Sequence, residues 1–307
     1  MWLSLASIYK DYMKLTILHR YFWPQNYPYA TMLKFISEEA SNCFDEVEII
    51  SSSHSKDESI KRKEWAEKLG INCKEISMVS ERGMSLFNKI FSMLTYWFWV
   101  AYQLATIKTD VVMVATTPPV FTAMLVRIFS KIRKFDYIYH CQDIHPESSY
   151  FNGKLKDGFL YDFLRRVDKK NVDSALFVIC LSDDMADTLV KRGSSSINIK
   201  CINNFIFDNP PLIASEFKSS VVKFLFSGTL GHFQNLTVLL NVLERFKNNN
   251  QVEFHFMGDG PLRLNLESNN ESNNIYFHGM KPVEDAIYAM DNCDFGIVSL
   301  GKGITKV

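Results

Sequence analysis

The chain has 307 residues, 47% of them hydrophobic, enough for two domains of ordinary size with buried cores. Lys and Arg number 34, as do Asp and Glu, so no net field recruits nucleic acid or a bulk anionic partner. The six cysteines contain no C-x-x-C pair, which removes the usual zinc and redox signatures and points to buried, reduced thiols.

Residues 1–12 do not read as a signal peptide: there is no basic n-region, and Lys10-Asp11 ends the apolar run early. Met13, just ahead of the first strand-like run, is the expected natural start, with 1–12 an extension. Short apolar runs then alternate with segments of helical period. Strands are expected at 14–19, 47–51, 111–115, 135–141, 176–181 and 199–203, then at 222–227, 252–257, 275–278 and 294–299. Helices are expected at 29–43, 58–69, 84–107, 119–132, 159–173 and 183–192, then at 234–249, 261–269 and 283–291. In the sixth of these, Asp183 and Asp184 occupy the N-cap region and Gly193 the C′ position. The alternation reads as βαβ units with parallel sheets.

The rhythm breaks at 204–220, which holds two prolines and no period, and restarts at Val221. The expected organisation is a first α/β domain over 13–205, a linker over 206–220 and a second α/β domain over 221–307. The second has 87 residues, against about 150 for a complete Rossmann-like half, and is read as incomplete.

Segment 84–107 stands apart, because Ile90 to Ile107 carries no charge over 18 residues, the minimum for a membrane span. A span there would put the flanking strands on opposite sides of a membrane, so a core helix of the first domain is the first reading. An interfacial helix with an aromatic face is its rival. The basic runs at 61–63, 131–134 and 165–170 read as solvated faces.

Chemistry is expected at strand tips. Ser227-Gly228-Thr229-Leu230-Gly231 follows a strand and precedes a helix opening near Gln234, where glycines admit a phosphate and the helix N-terminus supplies N–H groups. A plain tight turn is the structural alternative. Gly258-Asp259-Gly260-Pro261 repeats the arrangement after the next strand, with Pro261 suited to a first helical position. Asn274 to Gly279, Pro282 and Glu284 follow, and then Asp294 to Leu300.

The order of these pieces resembles the donor half of family 4 glycosyltransferases. Tyr21-Phe22-Trp23-Pro24, Thr116-Thr117-Pro118-Pro119 and Tyr139 to Glu147 resemble its first half, and the likeness runs over about 13–307. The branch it resembles builds bacterial capsule, O-antigen or exopolysaccharide. The resemblance implies a GT-B fold: α/β, two Rossmann-like domains facing a cleft, the second incomplete here. It implies retaining transfer of a hexose or aminosugar from a nucleotide diphosphate sugar, which is the donor substrate, with no obligatory cofactor or metal. No D-x-D pair is present. It also implies a lipid-linked saccharide acceptor, no nucleic acid, and a cytoplasmic protein with the inner face of the plasma membrane as its candidate working surface.

Residue roles follow from the same likeness. His140 matches the histidine near the reacting sugar, with a buried core histidine as the alternative. Asp143 and Glu147 line the acceptor side or fix their loop, with plain helix capping as the alternative. Gly228, Thr229 and Gly231 face the donor diphosphate, and Gly258, Asp259, Gly260 and Pro261 lie near the nucleotide. Where many members carry Arg and Lys, this chain has Thr229 and Gln234, so Lys302 or Lys306 is the candidate replacement cation. The family's paired glutamates follow the stretch that here reads Leu300 to Val307. A catalytically inactive fragment of such an enzyme is therefore the rival reading. A dinucleotide-binding oxidoreductase or epimerase is disfavoured, because Tyr21 to Ala30 contains no glycine.

Overall fold

A computed structural model describes residues 13–25, 27–80, 84–151, 153, 155–205, 221–231, 234, 236–247, 249–268 and 270–299. Residues 1–12, the expected linker at 206–220, and Lys302 and Lys306 lie outside these. The chain divides into two units after Phe205.

The first unit runs β1 (Lys14–Tyr21), α1 (Pro28–Cys43), β2 (Glu46–Ser53), α2 (Lys56–Lys68), β3 (Asn72–Ser77), α3 (Leu86–Thr106), β4 (Val111–Ala115), α4 (Phe121–Arg133), β5 (Asp136–Cys141), α5 (Glu147–Phe151), α6 (Phe159–Ser174), β6 (Phe177–Cys180), α7 (Asp183–Lys191) and β7 (Ile199–Cys201). The second runs β8 (Val222–Ser227), α8 (Leu236–Leu243), β9 (Val252–Met257), α9 (Arg263–Ser268), β10 (Ile275–Gly279), α10 (Val283–Asp291) and β11 (Phe295–Gly296).

The first sheet has the order β3-β2-β1-β4-β5-β6-β7 and the second β10-β9-β8-β11, and every pairing is parallel. Both sheets start from an inner strand, add two strands on one side, then cross to the other. The chain direction reverses between β1 and β4, and again between β8 and β11. In such sheets ligands bind outside the carboxyl ends of the strands, at this reversal point.

Side chains alternate across the first sheet. Leu15, Ile17, Val47, Ile49 and Ile138 pack under α1 and α2 through Leu33, Ala40 and Ala66. Leu18, Val112, Val114, Tyr137 and Tyr139 pack under α3, α4, α6 and α7 through Tyr96, Val100, Leu104, Val126, Val172 and Leu189. The strands are therefore apolar on both faces, as a doubly covered parallel sheet requires. In the second unit Phe226, Phe254, Phe256 and Ile275 pack against Leu243 and partly buried Leu239, Leu240 and Leu266.

Three local expectations are corrected. β3 is an additional strand: Asn72-Cys73-Lys74-Glu75-Ile76-Ser77 is polar because it is the half-exposed edge of the sheet. The N-cap of α7 is Ser182, whose hydroxyl accepts from Met185 N–H at 3.3 Å, and Asp183 and Asp184 instead occupy the first turn. The six cysteines are unpaired, but only Cys141 and Cys180 are buried, while Cys201 is exposed.

Two buried arginines bind loops to this frame. Arg62, with its side chain wholly buried, donates to Trp23 O (2.8 Å), Phe22 O (3.0 Å), Ser51 Oγ (2.9 Å), Ser52 O (3.1 Å) and Glu75 Oε2 (3.0 Å). Arg192, the C-cap of α7, donates from Nη1 to Asp168 Oδ2 (2.8 Å), from Nε to Glu147 Oε1 (2.8 Å) and from Nη2 to His145 O (3.0 Å) and Glu147 Oε2. Tyr139 Oη donates to the other Asp168 oxygen at 2.8 Å. Burial pushes the Asp168 carboxyl up to about 6, against the opposing pull of Arg192 and Tyr139. Replacing Arg192 by Leu strands a buried carboxylate, so urea denaturation of Arg192→Leu should show about 3–5 kcal/mol lost from the first unit.

Candidate functional site

In the first unit the candidate site lies at the carboxyl ends of β1 and β5. Alternation along β1 sends His19 to the α1 face and Arg20 to the α3 face, and alternation along β5 sends His140 to the same face as His19. Tyr29, from the first turns of α1, lies between the two imidazoles. Its ring is edge-on to His19 at 4.9 Å and to His140 at 5.4 Å.

His140 is 6% exposed and both ring nitrogens are engaged: Nδ1 with Tyr29 Oη at 2.8 Å, and Nε2 with the Gln142 amide nitrogen at 2.8 Å. An amide nitrogen can only donate, so Nε2 accepts and Nδ1–H donates to Tyr29. Gln142 is oriented by a reciprocal amide pair with Asn204, at 3.0 and 3.3 Å. His19 is 4% exposed and lies 2.6 Å from Tyr21 O through Nδ1, while its Nε2 has no hydrogen-bond partner among the described residues. Burial lowers the pKa of both imidazoles to about 4, with the neighbouring His19 a second cause at His140. Both are therefore neutral at pH 7. Arg20, 2% exposed, donates to Ser92 Oγ at 3.0 Å and lies over Tyr96 at 5.4 Å.

The other residues expected here divide. Asp143 is exposed, with its backbone N–H on Thr116 Oγ1 at 3.3 Å. Glu147 opens α5 and is held by Arg192, with Arg165 Nε at 3.5 Å. Its carboxylate therefore fixes the loop that carries His145 and Pro146.

In the second unit, residues 228–231 follow β8 and 258–261 follow β9, and the two loops bind each other. Gly228 N–H donates to Met257 O (2.9 Å), Leu230 N–H to Asp259 O (3.0 Å) and Leu262 N–H to Leu230 O (3.0 Å). A Cβ on Gly258 would lie 1.9 Å from Gly228 O, and one on Gly260 2.4 Å from Leu230 O. Gly258 also has φ +138°, where other residues are strained. These two glycines are thus required by the approach of one loop to the other.

The amide groups expected to face a diphosphate are in part engaged already. Gly231 N–H donates to Gln234 Oε1 (3.2 Å), Gly258 N–H to Gly279 O (2.8 Å) and Gly260 N–H to Asp259 Oδ1 (2.8 Å). Thr229 and Asp259 are exposed at the rim. Pro261 lies in the turn before α9 rather than as its first residue. Lys306 is outside the described residues. A cation beside these loops is Arg263, 3.5 Å from Glu267, 3.9 Å from Asp259 and packed over Gly279. Two positions after Pro261, this arginine has no sequence signal that separates it from an ordinary solvated helix residue. His19, Arg20 and Tyr29 also escape sequence reasoning, because only tertiary structure brings them to His140.

Among the described residues no group of His, Cys, Asp and Glu could hold a metal ion, and no helix is long and apolar enough to cross a membrane.

No protein-family model matches the sequence, and no curated protein does. Solved structures do match. Anabaena Alr3699/HepE in complex with UDP-glucose is 15% identical, with a TM-score of 0.64 over 96% of this chain and 78% of that one. Sucrose-phosphate synthase from Thermosynechococcus elongatus is 11% identical, TM-score 0.64, over 95% and 77%. A putative UDP-N-acetylglucosamine 2-epimerase from Listeria monocytogenes is 12% identical, TM-score 0.61, over 93% and 74%. At this identity the likeness establishes the fold: the chain has the GT-B fold, which transferases and an epimerase share.

Two outcomes follow from this geometry. An unfolded imidazole takes a proton near pH 6.5, whereas His140 in the folded chain does so only near 4. The unfolded state therefore binds more protons in between, and stability is lost as pH falls through that window. Asp168 acts oppositely below about 6, gaining its proton first in the folded state. Thermal melts of His140→Gln should therefore lose about 2 kcal/mol less than the parent between pH 7 and 5. Second, Gly258→Ala should destabilise the second unit by about 2 kcal/mol or more in urea titrations. Gly231→Ala, whose Cβ would meet only the side chains of Gln234 at 3.3 Å and Thr229 at 3.5 Å, should cost less than about 1 kcal/mol.

Proposed function

We propose that the chain is a glycosyltransferase of the family 4 type that takes its sugar from a nucleotide diphosphate donor. The observation that carries this reading is the structural match over 96% of the chain to Alr3699/HepE, a structure that holds UDP-glucose. The ordered motifs at the strand tips support it from the sequence side. In this reading the second unit binds the donor at loops 228–231 and 258–261, with Arg263 supplying the cation that Thr229 and Gln234 do not. The first unit serves the acceptor, and His140 hydrogen-bonds the transferred sugar once Gln142 yields its place on Nε2. A neutral imidazole suits that role, because it donates and accepts without placing a fixed charge beside a cationic transition state.

The transfer is of a hexose or aminosugar with retention at the anomeric carbon, to a lipid-linked saccharide in surface polysaccharide synthesis at the inner face of the plasma membrane. Catalysis is positional and electrostatic, without a metal. The test is incubation of the chain with radiolabelled UDP-glucose, UDP-galactose and UDP-N-acetylglucosamine, with and without polyprenyl-diphosphate saccharide. Acceptor-dependent transfer is expected, and His140→Ala should lower kcat about 10²-fold with little change in donor KM. Donor binding without turnover would mark an inactive fragment. Interconversion of the free sugar nucleotide without acceptor would place the chain with the epimerases and overturn the reading.

A further inference from the structure

The first unit has two helical faces of opposite character. On one, α2 reads Lys-Asp-Glu-Ser-Ile-Lys-Arg-Lys-Glu-Trp-Ala-Glu-Lys, charged and solvated on its outside, with Arg62 and Ala66 buried on its inside. On the other, α3 is apolar on its outside as well as its inside. Tyr96, Val100 and Leu104 are buried in the core. Facing away from it are Phe87 (78% exposed), Ile90, Phe91 (66%), Leu94, Phe98 (76%) and Tyr102 (65%). Their spacing of three and four residues makes one stripe along the helix. Together they present on the order of 700 Å² of apolar and aromatic surface, at or beyond the largest patch usual on a soluble monomer. On α4, which packs beside α3, Ile128 and Ile132 are exposed too.

The charge on these two helices has one sign. Over their 21 and 13 residues the basic groups are Lys89, Arg127, Lys131 and Arg133, and there is no Asp or Glu. Just past the helix ends Lys108 and Lys134 are exposed, followed by exposed Asp110 and Asp136. An apolar stripe on helices whose own charges are all basic, with an aromatic phenol at one end, is matched by the acyl boundary and headgroups of an anionic bilayer. A protein partner for such a face would have to bring acidic groups to its rim. The helix is about 31 Å long and is not apolar enough to cross a membrane, so a bilayer would meet it along its length, in the interface plane.

We infer that the outer face of α3 and α4 docks the protein onto an anionic membrane, with Phe87, Phe91 and Phe98 inserted among the acyl chains and Lys131 against the headgroups. As the surface that brings the chain to a lipid-linked acceptor, it rests on the function proposed above, but vesicle binding and sugar transfer are read separately.

The test is flotation of the full chain with vesicles of phosphatidylcholine alone and of phosphatidylcholine mixed with phosphatidylglycerol. Binding is expected to the mixed vesicles and to weaken with salt. The double variant Phe91→Asp/Phe98→Asp should bind at least about tenfold more weakly, with unchanged melting temperature and elution volume. Phe98→Leu should bind as the parent does. Lys131→Glu should lose about fivefold or more on the mixed vesicles only. Sugar transfer to a water-soluble acceptor should be the same in Phe91→Asp/Phe98→Asp as in the parent. Vesicle binding with no sugar transfer by any variant would overturn the proposed function and leave the docking face standing. Binding to neither vesicle, full binding by the double variant, or a parent dimer that the double variant dissociates without vesicle binding would each overturn the inference.

Discussion

Parallel strand pairing is the constraint on which everything else here depends. Each parallel strand must be reached by a crossover, and each crossover brings the next strand in from the same side, so every carboxyl end empties at one edge of its sheet. By that rule His19 and Arg20 near the end of β1 join His140 and Gln142 at the end of β5 in the first sheet, and, separately, the two glycine loops after β8 and β9 meet in the second. No local propensity would bring His19 and His140, 121 positions apart, to the two sides of Tyr29.

The same edge is where the chain tolerates unusual electrostatics. Two imidazoles and a tyrosine are buried together, and burial keeps both imidazoles neutral. Behind them, Arg192 bridges Asp168 and Glu147, with Tyr139 completing the bonding of Asp168. The charge network thus braces the loop after β5, while the two imidazoles and Tyr29 nearer the strand tip remain uncharged. In the function proposed above, the braced part resists movement and the uncharged part exchanges hydrogen bonds with an incoming hydroxyl at little electrostatic cost.

Much of this is legible in the sequence, for identifiable reasons. Strands buried on both faces are near-continuous runs of Val, Ile and aromatic residues, so β4, β8 and β9 can be bounded to the residue. β3 cannot, because an edge strand half in solvent carries Lys74 and Glu75 and loses the pattern. Gly258 and Gly260 are legible as glycines with a purpose, but the purpose belongs first to the Gly228 and Leu230 carbonyls pressed against them. Pairings such as Gln142 with Asn204, or Arg62 with the carbonyls of Phe22 and Trp23, leave no periodic trace. They depend on distances between segments that the chain brings together only on folding.

Arg62 carries a consequence for the shape of the strand-tip edge. Its guanidinium fork spans the loop after β1, the end of β2 and the edge strand, so the aromatic turn at Phe22-Trp23 is pinned to them by five hydrogen bonds from one buried side chain. A glycine-rich turn in that place would keep more backbone freedom in the folded chain. Here that entropy has been given up during folding, and the contour of the turn is set by the frame beneath it.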